Sequence, residues 1–141
     1  MEFGDNRKEG DAAGCNFPQP QALVVDGRPN YLGYYAAMLE AYGYQVRRCA
    51  SYGDALHCMD NEAFDFVMVN QGGPKFEGSC VVKRGIEVDR TLSIVVVAPC
   101  LDMGSYLEAM QLGARDYLVE PLSAWEVGRL LPPQPCLSAA A

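Results

Sequence analysis

Between residues 21 and 131 the chain alternates short, solidly apolar runs with stretches whose apolar positions recur every three or four residues. The runs "ALVVD" (22–26), "YQVRRC" (44–49), "FDFVMVN" (64–70), "SIVVVA" (93–98) and "DYLVE" (116–120) have the length and β-branched content of strands. The intervening "YLGYYAAMLEAYG" (31–43), "GDALHCMDN" (53–61), "EGSCVVKRGIEV" (77–88), "MGSYLEAMQLG" (103–113) and "AWEVGRLL" (124–131) carry helical periodicity. Strand-then-helix units in succession predict an α/β protein, a parallel sheet wrapped on both faces by helices. The "VMV" and "VVV" runs need cover on both sides, so strands one, three and four belong at the centre; Arg47 and Arg48 mark strand two as an edge.

Boundary signals agree with this division. Pro29 presets the first turn of helix one and Gly43 suits the left-handed position past its end, with Leu32, Tyr35, Ala36 and Leu39 as the inward stripe. Ser51 with Asp54, and Ser123 with Glu126, have capping-box spacing for helices two and five, and Leu122 can pack on Val127 as a hydrophobic staple. Gly113 closes helix four as Gly43 closes helix one.

Composition narrows the class. At 141 residues the chain has the size of one domain. Residues 1–20 read as a flexible leader, 21–131 as the folded domain and 132–141, Pro-rich at its start, as a tail or the beginning of a linker. A net charge of −7 with only 11 Lys and Arg argues against direct nucleic-acid contact. No run is apolar and long enough for a membrane span, and the N-terminus lacks a signal-peptide core, so a cytoplasmic setting is expected. The six cysteines form no C-x-x-C pair and do not cluster with the single histidine, which predicts reduced, small core residues and no metal centre. His57 and Met59 carry no functional signal.

Candidate chemistry gathers where strands end. The "VVD" closing strand one, "N-x-x-G-P-x-F-E-G" after strand three and "GARDYLVEP" around strand five together resemble the receiver (CheY-like) domain of bacterial two-component response regulators, over residues 22–131. The resemblance implies a flavodoxin-like (βα)5 sandwich with sheet order 2-1-3-4-5 and a role in phosphorelay signal transduction. It also implies an aspartate at the end of strand three that accepts a phosphoryl group, two acidic residues after strand one that hold Mg²⁺, a Thr or Ser ending strand four and a Lys before the proline of strand five. The matching positions here are Asn70 for the acceptor, Asp26 and Gly27 for the acidic pair, Ala98 for the hydroxyl and Glu120 for the lysine.

Four of these five positions, all but Asp26, depart from the family pattern, and the departures remove chemistry. An amide cannot serve as the anionic nucleophile; Mg²⁺ keeps only Asp26 as a family-type ligand, so its binding is expected to be weak or absent; and Glu120 puts a negative charge where a cation would neutralise phosphate. The sequence also places a new cation, Arg28, beside the new anion. We expect either an Arg28–Glu120 ion pair, or Asn70 bridging Asp26 and Glu120, to hold the loops together; Asp26 and Glu120 could alternatively recruit a cation of their own. Tyr117 stands at the aromatic switch position, and Ala98 leaves room for its ring to stay inward. The Glu120–Pro121 bond matches a position that is usually cis in the family.

These readings predict a degenerate receiver that works without phosphorylation and without enzymatic activity, as a protein-interaction module with no cofactor. Its partner would be another protein or a second copy, through helix four, strand five and helix five, with Tyr106, Met110 and Trp125 as interface residues. Two alternatives stay open: a small-ligand sensor using the crevice near Gly72 and Gly73, or a receiver phosphorylated at Asp65, Glu77 or Asp102.

Overall fold

The computed structural model of the chain describes residues 19–133; the expected leader up to residue 18 and the tail from residue 134 lie outside the described residues. The elements run β1 (Gln21–Val25), α1 (Pro29–Ala41), β2 (Gln45–Cys49), α2 (Tyr52–Asn61), β3 (Phe66–Asn70), α3 (Ser79–Val88), β4 (Ser93–Ala98), α4 (Met103–Leu112), β5 (Asp116–Val119) and α5 (Ala124–Leu130). All strands are parallel, in the order β2-β1-β3-β4-β5. This is the flavodoxin-like α/β sandwich.

Strand periodicity divides the core into two layers, because alternate side chains leave opposite faces. Leu23, Val25, Val67, Val69, Ile94 and Val96 pack with residues of α2, α3 and α4. Ala22, Val24, Phe66, Met68, Val95 and Val97 pack on the other face with Tyr35, Met38 and Leu39 of α1 and Val127 and Leu130 of α5. The uninterrupted apolar runs follow from this double cover: a polar side chain at any of these positions would be stranded without water. Edge strand β2 instead exposes Arg47 and Arg48, which reach Glu62 at 2.6 Å and Glu40 at 3.6 Å.

The helix ends are built locally. Ser51 Oγ accepts from the Asp54 N–H, but the return bond that would complete a box is absent, an Asp being one methylene shorter than the usual Glu. At α5 both halves are made, between Ser123 and Glu126, and Leu122 and Val127 are buried in the same layer. Gly43 and Gly113 have φ of 93° and 109°, the left-handed termination that only glycine adopts cheaply. Gly128 answers a steric demand: a Cβ there would lie 2.3 Å from the hydroxyl of Tyr42, the residue that caps α1.

The cysteines depart from expectation. Of the four described, only Cys49 is buried; Cys58 and Cys80 are half-buried and Cys100 is exposed. Cys58 lies on a partly covered flank of α2 and Cys100 in the loop after β4, positions whose exposure the strand and helix pattern alone did not resolve.

Candidate functional site

Parallel register brings the carboxyl ends of β1, β3, β4 and β5 to one edge. Val25 is level with Val69, Asn70 with Val97, and Ala98 with Val119. Backbone bonds continue the ladder one residue further, from Asp26 N–H to Cys49 O (3.1 Å), Gln71 N–H to Val97 O (2.7 Å) and Glu120 N–H to Ala98 O (2.8 Å). Asp26, Gly27, Asn70, Ala98 and Glu120, which sequence reasoning singled out, therefore stand round one rim at the strand ends where α/β sheets bind and react.

Arg28 sits at the centre of that rim. Its Nε and Nη2 donate to Asp26 Oδ1 (2.9 Å) and Oδ2 (2.8 Å), while Nη1 and Nη2 donate to Glu120 Oε1 (3.0 Å) and Oε2 (2.7 Å). The Arg28 backbone N–H adds a further bond to Asp26 Oδ1, at 2.9 Å. Both carboxylates are almost sealed, with side chains 2% and 8% exposed, against 36% for Arg28. The guanidinium lies 3.8 Å from the centre of the Tyr31 ring, a cation–π contact that covers one face. Its hydrogen bonds to Asp26 and then Glu120 raise its pKa, so it carries its charge throughout. Tyr35, read from the sequence only as part of the inward stripe of α1, also donates its hydroxyl to Glu120 Oε2. Burial first, then that bond, raises the phenol's pKa.

Asn70 does not bridge Asp26 and Glu120. Its Oδ1 accepts from the Gly72 N–H at 2.9 Å, a short turn that swings the amide back over its own loop. That bond fixes which end is oxygen. The buried Nδ2 finds no hydrogen-bond partner among the described residues. Asn70 shares with Asp26, Arg28, Ser51 and Tyr52 the wall of a cavity of about 390 Å³. The Tyr52 hydroxyl donates to the Asn70 carbonyl at 2.9 Å, and its pKa is pushed up to about 12, by burial and then by Glu77. On the far side of Arg28 a second cleft, of about 540 Å³, is walled by Tyr31, Tyr34, Tyr35, Pro99 and Pro121.

The β3–α3 loop is tied down at several points. Gly72 has φ of 90°, and Phe76, a non-glycine residue at φ 55°, drives a fully buried ring into the core beneath the loop. Gly78 is required by close approach, since a Cβ there would lie 2.4 Å from the Asn70 carbonyl oxygen. Glu77 accepts from the Gly73 N–H at 2.6 Å. The other nearby carboxylates are also engaged away from the strand end: Asp65 accepts from the Gln21 N–H and Asp102 caps α4.

Tyr117 points inward and is 6% exposed. Its hydroxyl donates to Gln71 Oε1 and accepts from the Asp102 N–H at 3.2 Å, and the ring belongs to the same core layer as the fully buried Ala98. Gln71 in turn donates from Nε2 to the Gly73 carbonyl at 3.1 Å. Sequence reading missed this glutamine; its one signal was a second polar amide directly after an apolar strand. Tyr106 is half-buried and meets the Tyr117 ring edge-on at 5.7 Å. It therefore supports the core, whereas Met110 and Trp125 are 37% and 69% exposed. The Glu120–Pro121 bond is cis.

Among the described residues, no group of three or more His, Cys, Asp or Glu side chains is placed to hold a metal ion, and no helix is long and apolar enough to cross a membrane.

Comparison with known proteins matches residues 22–129 to the family described as the response regulator receiver domain. The transcriptional regulatory protein ZraR of Salmonella typhimurium is 28% identical over 100 residues, 71% of this chain and 23% of that protein. The two-component response regulator ARR11 of Arabidopsis thaliana is 26% identical over 110 residues, 76% of this chain and 21% of that protein. The chain thus spans about a quarter or less of the length of these relatives. Among solved structures, a Burkholderia pseudomallei response regulator with a phosphorylated aspartic acid, calcium ion and citrate superposes with a TM-score of 0.73 at 24% identity, covering 86% of this chain and 70% of that one. The Vibrio cholerae chemotaxis protein CheY4 superposes at 0.71 with 21% identity, covering 81% and 100%. Likeness at this identity concerns the fold.

Proposed function

The chain belongs to the response regulator receiver domain family, and from that premise we propose that it is a receiver whose state is set by contact with other molecules and not by phosphorylation. Receiver domains are signalling modules that act on other proteins, and this one keeps that role within two-component signalling. One observation carries the reading. The guanidinium of Arg28 fills the space between Asp26 and Glu120, and residue 70, which should supply a nucleophilic carboxylate, is an amide.

The donor set does not fit Mg²⁺. Asp26 is the one family-type carboxylate left, and both its oxygens already accept from Arg28; a second cation there would meet a fixed positive charge at contact distance. No phosphoryl-transfer step follows from this pocket, and the domain carries no catalysis of its own. Arg28 joins the β1–α1 and β5–α5 loops through its two carboxylate partners, a permanent link built from the chain itself. The inward Tyr117, hydrogen bonded to Gln71, supports a receiver held in one state.

The outlet for such a module is the face of α4, β5 and α5. Helix α4 is apolar on the wrong side: its buried positions are Ser105 and Ala109, while Met103, Leu107 and Met110 are exposed. Val119 of β5 and Trp125 of α5 add exposed apolar surface. A protein partner covers this face, with a second copy of the chain the first to test, and the setting is cytoplasmic. Neither nucleic acid nor membrane is contacted by this domain, consistent with a net charge of −7.

A second reading has the unpartnered Asn70 Nδ2 in its favour. A small ligand presenting a carbonyl or hydroxyl acceptor to the 390 Å³ cavity would satisfy that group. Intact-mass measurement after incubation with a small-molecule phosphodonor and Mg²⁺ tests the first reading. An unchanged mass is expected; a stoichiometric phosphoryl adduct, at Asp65, Glu77, Asp102 or elsewhere, overturns it. A molecule retained in native mass spectra of the purified protein favours the second.

A further inference from the structure

The thiols of Cys49, last residue of β2, and Cys58, on the inner flank of α2, are 3.6 Å apart, sulfur to sulfur. No sequence spacing rule flags them, because nine positions separate a strand end from the second turn of the next helix. We propose that Cys49 and Cys58 are a hydroperoxide-sensitive dithiol, oxidised to an intramolecular disulfide that draws α2 onto the end of β2 and resets the strand-end pocket.

Geometry supplies the first argument. A disulfide needs its sulfurs about 2.05 Å apart, so a thiol pair already in contact closes by side-chain rotation with a small shift of α2. The second argument is asymmetry. Cys58 is half-buried and meets an oxidant first, while Cys49 is sealed in the core, its thiol pushed up to about 12 by burial and then by the bond to Cys58. Cys80, by contrast, turns its thiol to the Glu77 carbonyl.

The chemistry balances in two steps. The Cys58 sulfur attacks one oxygen of the hydroperoxide, breaking the O–O bond; Cys58 becomes a sulfenic acid and an alcohol, or water, leaves. The Cys49 sulfur then attacks the sulfenic sulfur, forming the S–S bond and releasing water with the Cys49 proton. The hydroperoxide is the oxidant and both thiols are oxidised. A cellular dithiol reductant reverses the step.

The pair is wired to the pocket by the backbone. The Cys49 carbonyl accepts from the Asp26 N–H at 3.1 Å, and the next residues, Ala50, Ser51 and Tyr52, line the cavity beside Asn70. Tyr52 opens α2 and holds the Asn70 carbonyl. Pulling on Cys58 therefore moves one wall of the site, a regulation that rests on the reading that no phosphoryl group sets its state.

The full chain, six cysteines intact, is treated with hydrogen peroxide under native conditions, alkylated and digested without reduction. The expected product is one peptide pair joined Cys49 to Cys58, lighter by two hydrogens and restored by a dithiol, with slowed amide exchange at Asp26, Gly27 and Arg28. In Cys49→Ala, Cys58 stops at a sulfenic acid that dimedone traps; in Cys58→Ala, Cys49 stays reduced. Oxidation of wild-type Cys58 to sulfinic acid without a cross-link, or links scattered over the other cysteines, overturns the proposal. A cross-link that leaves exchange at residues 26–28 unchanged overturns its regulatory half. A phosphoryl adduct on the untreated protein would instead sink the contact-driven reading and leave the thiol chemistry standing.

Discussion

The two flanks of the strand-end pocket are built on opposite principles. On the β1 and β5 side, every carboxylate oxygen of Asp26 and Glu120 accepts at least one hydrogen bond, and Arg28 spans both acids. On the β3 side, Asn70 makes one side-chain bond and leaves a buried NH₂ unpartnered. Charges almost out of water are tolerable only when paired, so the first flank is rigid by necessity. A neutral amide can be left half-satisfied at a smaller cost, so the second flank keeps unused bonding capacity. The site is thus locked where the family binds a cation and open where it accepts phosphate.

The sharpest way to break this contrast is Arg28→Ala, which strands two nearly buried carboxylates. Because Arg28 itself is 36% exposed and water can enter its place, a loss of roughly 2–3 kcal/mol is expected in urea unfolding, short of the roughly 3–5 kcal/mol of a sealed pair. A loss under about 0.5 kcal/mol, typical of a surface pair, would show that the knot does not hold the loops.

Alkaline pH probes the same flank and the cavity wall more gently. Tyr35 and Tyr52 have raised pKa values, so the folded protein holds these protons more tightly than the unfolded chain. Their stabilisation is complete below the unfolded phenol value of about 10. It is lost as pH rises from there through the folded values, about 12 for Tyr52. Melting temperature should fall from pH about 10 upward, and the fall should be shallower in Tyr35→Phe. A profile identical in that variant would remove Tyr35 from the knot.

The smallest effect belongs to Asn70→Ala. Losing one bond to Gly72 while removing an unpartnered donor nearly cancels, so the change in stability should stay within about 1 kcal/mol. A cost above about 2 kcal/mol would mean that both ends of the amide are bonded and the second flank is not open.

The fold was readable because its signals are local and repeated: "FVMVN" and "SIVVVA" demand double cover, and the capping residues Ser51 and Ser123 sit where helices begin. Of the site, the meeting of Arg28 and Glu120 could be anticipated because a charge reversal at one position invites its counter-ion. Three partners could not. Asp26 as the second acid on Arg28 depends on a two-residue turn that brings the guanidinium back over its own loop. Tyr35 looks like any inward aromatic of a helix until its hydroxyl is placed beside Glu120. Gln71 becomes meaningful only once Tyr117 is known to face inward. Cys49 and Cys58 were hidden for a related reason, since the pair is made by how α2 lies on β2 and not by spacing along the chain.

Phe76 decides where such a pocket can yield. A buried ring on a left-handed backbone costs about 1–3 kcal/mol of local strain and persists only if its anchorage outweighs it. The loop above therefore hangs from a plug set in the interior and cannot hinge outward without drawing that plug. Traffic to Asn70 must come from the opposite bank, past Ser51 and Tyr52.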